Sequence, residues 1–71
     1  MESMTYKKGK HHANVVVLQT SDGRFQGEVA LSHEVEREHA ERHLVPGPSD
    51  TPEEAFDEAK ALAHRLLANL Q

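Results

Sequence analysis

The stretch from Asp50 to Leu70 limits what this chain can fold into more than any other. Thr51 is an N-cap candidate with Glu54 three residues on, a capping box, and Pro52 falls at the first helical position, where a missing N–H is no loss. Ala55, Phe56, Ala59, Leu62, Ala63, Leu66, Leu67 and Leu70 then recur at three- and four-residue steps and form one apolar face. Acids occupy the first turns, and Lys60, His64 and Arg65 the later ones, as the helix dipole favours. The spacing predicts one amphipathic helix, and the small residues Ala55, Ala59 and Ala63 let it lie close on whatever it covers. A rival use of that face is to meet the helix of another chain.

The surface to be covered is predicted by a hairpin signal upstream. Asp22-Gly23 is a preferred central pair of a type I′ turn, whose twist matches that of the flanking strands. As a two-residue loop it sets Thr20 opposite Phe25, Leu18 opposite Gly27, Val16 opposite Val29 and Asn14 opposite Leu31. Val16, Leu18, Phe25, Val29 and Leu31 then form the core face. The other face carries Val15, Val17, Gln19, Gln26, Glu28 and Ala30, with Val15 and Val17 offered to water or to a partner. Gly27, in mid-strand, marks a bulge or close packing by a large neighbour.

Residues 32–43 fit neither a helical nor a strand template. A polar turn is expected near 33–38 and a short third strand near 40–45, where Leu44-Val45 is β-prone and Pro46-Gly47-Pro48 stops it. Residues 1–12 read as a flexible basic N-terminal arm without periodicity, in which Tyr6 marks a contact with the body and offers a short edge strand as the alternative. The expected fold is therefore α+β: a three-stranded antiparallel sheet in β-β-β-α order, packed by one C-terminal helix, with residues 13–71 as a single domain.

Size and charge then narrow the function. A chain of 71 residues buries only about 60% of the surface its unfolded form exposes. With no cysteine to staple it, oligomerisation is one of the few supports left, so a homodimer or a protein partner is expected. The longest apolar run, Val15-Val16-Val17-Leu18, is too short to cross a bilayer, and a soluble cytoplasmic protein with no membrane partner is the expectation. A formal charge of −4 disfavours general attraction to nucleic acid, although protonation of six histidines would carry it to +2.

No motif for catalysis or for a cofactor emerges. The carboxylates sit in solvated contexts, the serines lie in arm, turn or linker, and there is no Gly-rich phosphate loop. His39 and His43, four apart, would share a helical side with Glu36 and offer two imidazoles and a carboxylate to zinc. His39-Ala40-Glu41-Arg42-His43 is not the zinc-protease pattern, and solvated histidines remain the bland reading. His11 and His12 are adjacent and point apart in an extended arm. The basic cluster Lys7, Lys8, Lys10, His11 and His12 can meet phosphate as a mobile arm or simply solubilise the chain.

The order of turns carries a resemblance. Asp22-Gly23 in a hairpin, then Val45-Pro46-Gly47, then Asp50-Thr51-Pro52-Glu53-Glu54-Ala55 opening a helix with Ala59 and Leu62, resembles the small N-terminal domain of HicB-type antitoxins. The resemblance implies a three-stranded sheet with one packed helix, acting as a non-enzymatic partner-binding module able to dimerise. The expected function is thus protein-protein interaction through Val15, Val17, Lys7, Lys8, Lys10, His39 and His43. The alternatives are a nucleic-acid-associated accessory protein using the basic arm and a histidine-based metal binder.

Overall fold

In a computed structural model of the chain, the structure describes residues 3–33 and 40–69. Helix α1 runs from Pro52 to Ala68, capped as the sequence predicts: the Glu54 N–H donates to Thr51 Oγ1 at 3.1 Å, and Pro52 opens the first turn. A cap of this kind contributes about 1 kcal/mol to helix stability. Ala55, Phe56, Ala59, Ala63 and Leu67 are buried along one side, and Leu62 and Leu66 pack against the same cluster.

Strands β1 (Ser3–Lys8), β2 (His11–Gln19), β3 (Phe25–His33) and β4 (Glu41–Leu44) form one antiparallel sheet in the order β1-β2-β3-β4. Helix α1 lies across β2 and β3. The expected α+β class and closing helix are present, but the sheet has four strands where three are expected, and β4 is the one expected near 40–45. The additional strand, β1, comes from the segment read as a mobile arm. Gly9-Lys10 is the reason: Gly9 has a φ of 60° while Lys10 does not take a positive φ, the signature of a two-residue type II′ hairpin turn. Its strand signal is faint because only Met4 and Tyr6 are apolar in β1. Both alternate onto the helix side, where Tyr6 packs against the core with its ring 4.5 Å from that of His64.

The second difference concerns register. Gln19 pairs with Phe25, Val17 with Gly27, Val15 with Val29 and Ala13 with Leu31, one residue away from the expected pairing. Asp22 does not take the positive φ that a type I′ turn requires; Gly23 alone does, at 85°. Gly23 N–H donates to Thr20 O at 3.1 Å and Thr20 N–H to Arg24 O at 2.8 Å. This is a three-residue loop in which a turn is followed by a left-handed glycine. A slip of one residue exchanges the faces of a strand. Phe25, Val29 and Leu31 of β3 keep the expected core side, but β2 is inverted: Ala13, Val15 and Val17 enter the core, while Val16 and Leu18 face away.

Polar contacts within this loop explain why it takes that form. The Thr20 hydroxyl donates to the Asp22 carboxylate and accepts from the Arg24 N–H at 3.0 Å, which itself also approaches Asp22 at 3.4 Å. The Thr20 hydroxyl first, and the Arg24 N–H second, hold the Asp22 carboxyl below its ordinary value. A lowered folded value means that this stabilisation is complete above the unfolded carboxyl pKa of about 3.9 and is lost as pH falls through the folded one. Urea unfolding of wild type and Asp22→Asn should therefore differ more at about pH 7 than at about pH 3.

Candidate interaction surface

One helix can cover only one side of a sheet. The side away from α1 is formed by the alternate residues of each strand, and its centre is Val16 and Leu18 of β2, Glu28 and Ala30 of β3, and Arg42 and Leu44 of β4. Leu18 is 45% exposed and Leu44 59%, whereas Val16 and Ala30 are half-buried. The bulk of the core lies on the opposite side, where Val15 and Val29 are fully buried.

Glu28 is the chemical oddity of this face. It stands directly opposite Val16 in one ladder and opposite Leu44 in the other, so apolar side chains flank its carboxylate on both sides. Its side chain is only 11% exposed although α1 lies on the other side of the sheet, and Arg42 Nε approaches Oε1 at 3.6 Å. Arg42 itself is 79% exposed, which leaves most of its guanidinium donors facing outward. Gln26, two residues before Glu28, turns its amide to donate to the Val45 carbonyl, and at the β1 edge the Thr5 hydroxyl donates to Asn14 Oδ1 at 3.0 Å. The result is an apolar strip with one acid and one base near its middle and polar groups towards its margins.

The residues expected to make an interaction surface are dispersed. Val15 and Val17 are in the core beneath α1, at 0% and 4% exposure, and are unavailable to a partner; the register slip is the physical reason. Lys7 and Lys8 end β1 and alternate between its two faces, and Lys10 lies in the turn, so with His11 and His12 they make an ordered hairpin tip. His43 sits on the helix side of β4 opposite Val29, its Nε2 3.5 Å from Glu41 Oε2 and buried without a hydrogen-bond partner. His39 and Glu36 lie outside the described residues, and so does the turn expected near 33–38 except for His33, which ends β3. Val16 and Leu18 were legible here only to a reading that places β2 in the correct register, whereas Glu28 and Ala30 of β3 lie on the face expected for them.

Two open clefts flank the helix. One, of about 280 Å³, is bounded by Tyr6, Lys7, Lys8, His64, Leu67 and Ala68; the other, of about 300 Å³, by Val45, Pro46, Glu58, Ala61, Leu62 and Arg65. The first falls just below, and the second at the bottom of, the range of about 300–1,000 Å³ for small-molecule pockets. Among the described residues no group of three histidines or carboxylates is placed to hold a metal ion, and no helix is long and apolar enough to cross a membrane. Comparison of the chain with protein-family models, with curated proteins and with solved structures returns no match.

Proposed function

We propose that this chain is a non-enzymatic protein-protein interaction module and that its uncovered sheet face binds a second copy of itself. The observation that carries the reading is the exposed pair Leu18 and Leu44 around a nearly buried Glu28 whose partner, Arg42, points most of its donors outward. An isologous two-fold contact sets each patch against its own copy, so that an acid and a base on one face become mutually complementary. Arg42 of one protomer then reaches Glu28 of its partner while Val16, Leu18 and Leu44 of both are removed from water.

Size sets the strength of the contact. Strands of six, nine, nine and four residues, at about 4.8 Å spacing and about 3.4 Å per residue, make a face of roughly 460 Å² in projection. That is a little over half of a standard interface of about 800 Å² per partner, the size of a weak, reversible contact. A small core gains from such burial, since each apolar Å² removed from water contributes about 25 cal/mol before association costs. The likeness of the turn order to HicB-type antitoxin N-terminal domains points the same way, towards a partner-binding module, and a cytoplasmic setting goes with it.

The test is a concentration series of sedimentation velocity on wild type and on Leu44→Lys. Wild type should pass from monomer to dimer, and the variant should stay monomeric with an unchanged circular dichroism spectrum, because Leu44 lies at an exposed edge position where lysine is tolerated. A dimer that survives Leu44→Lys at wild-type affinity, or a wild type that is monomeric throughout, would overturn the assignment.

A further inference from the structure

The two edges of the sheet are unlike. β4 is four residues long and runs into Val45-Pro46, whereas β1 offers six residues, and among the described residues no strand pairs with its outer side. We propose that the β1 edge, together with the cleft between it and α1, is a docking site for an extended acidic peptide segment of a partner protein, which adds to the sheet as a fifth strand.

The hairpin turn fixes which backbone groups are on offer. Lys8 and His11 close the two-residue loop and exchange both backbone hydrogen bonds, and the antiparallel ladder alternates from there. Met4, Tyr6 and Lys8 therefore turn their N–H and C=O groups towards β2, while Thr5 and Lys7 turn theirs outward, where a further strand meets them. Main-chain bonds give a contact of this kind its affinity, and pockets for alternate side chains give it selectivity. The cleft of about 280 Å³ beside this edge is such a pocket, and its size suits one side chain rather than a separate ligand. Tyr6 from the strand and His64 and Leu67 from the helix line it, with the two rings 4.5 Å apart. α1 ends at this cleft with Ala68, and the partial negative charge of a helix C-terminus disfavours a carboxylate there, so the side chain that enters is apolar.

Charge selects the rest of the partner. Lys7, Lys8 and Lys10 are exposed at one end of the edge, and among the described residues no carboxylate forms an ion pair with any of them. Lysine on an edge strand discourages edge-to-edge pairing with a second copy, because it brings like charges together. The same lysines attract a strand that carries acids. This site uses the backbone edge and the helix side of the sheet, apart from the uncovered face assigned to self-association.

The probe is a fluorescein-labelled eight-residue peptide in which glutamate alternates with valine and phenylalanine, titrated into the full chain and followed by anisotropy. The peptide should bind, and in the complex the Thr5 and Lys7 amides should exchange with solvent about tenfold more slowly by NMR, while that of Tyr6 changes little. Thr5→Pro removes an outward donor and no ladder bond, a change an edge strand tolerates, and should weaken binding about tenfold. Lys7→Glu combined with Lys8→Glu should weaken it at least as much, and circular dichroism shows whether each variant is folded. Leu44→Lys, which removes self-association, leaves peptide binding unchanged, so the two proposals fail separately. The inference is overturned if a peptide with lysine in place of glutamate binds as tightly, if the Thr5 and Lys7 amides stay unprotected in the complex, or if either folded variant binds as wild type does. It is equally overturned if a single-stranded oligonucleotide of the same charge binds more tightly, or if no binding occurs up to millimolar peptide.

Discussion

Gly27→Val should leave the chain largely unfolded at 25 °C, and Gly27→Ala should lower its stability by about 3 kcal/mol, at the upper end of what overpacking a core costs. Gly27 sits in β3 directly beneath α1. A Cβ there would lie 2.7 Å from the Ala55 carbonyl oxygen, 2.8 Å from Ala59 Cβ and 2.9 Å from a Val45 methyl. Two of these three neighbours are fixed by the helix backbone, so no side-chain rotation relieves the contact and the whole helix must lift. Lifting it exposes Ala55 and Ala59, both fully buried, and loosens Phe56 beside them. A domain of this size holds about 0.05–0.15 kcal/mol per residue in total, so a loss of several kcal/mol takes most of it. Urea denaturation followed by circular dichroism measures the effect. A Gly27→Ala variant within about 0.5 kcal/mol of wild type would mean that α1 is not seated on this residue.

The second large effect separates two neighbouring valines. Val15→Lys should destabilise the fold by several kcal/mol, because it sets an ammonium group into the core beside Val29 with no partner. Val16→Lys should stay within about 1 kcal/mol of wild type: its position faces away from α1, directly opposite Glu28, where a lysine gains a cross-strand acid. The same denaturation measurement decides. The two-residue loop read from Asp22-Gly23 makes the opposite forecast, a tolerated Val15→Lys and a ruinous Val16→Lys, so the pair of variants also measures the register of the hairpin.

Those valines show where reading the sequence stops. The helix was legible to its cap because Thr51, Pro52, Glu54 and the apolar spacing all act within one segment. The existence of the β2–β3 hairpin was legible for the same reason. Its register was not: Asp-Gly serves both a two-residue loop and a three-residue loop closed by a left-handed glycine, and the choice between them rests on Thr20, whose hydroxyl bonds within the longer loop. Pattern does not correct the error, since Val15, Val16, Val17 and Leu18 are apolar at every position and either alternation buries two of them. β1 stood only as an alternative, a short edge strand at Tyr6, because a Gly-Lys turn is a weaker signal than Asp-Gly and lysine ends the strand. The candidate surface inherits both facts. Val15 and Val17 are exchanged for Val16 and Leu18, and the basic residues read as a mobile arm stand on an ordered hairpin tip.

Self-association through the uncovered sheet face is tested most directly by methyl NMR spectra of leucine- and valine-labelled protein recorded over a dilution series. The methyl signals of Val16, Leu18 and Leu44 should move with concentration, while those of Val15, Val17 and Val29 beneath the helix stay fixed. Concentration-dependent shifts confined to Leu62 and Leu66 of α1, or no shift at any concentration, would contradict it.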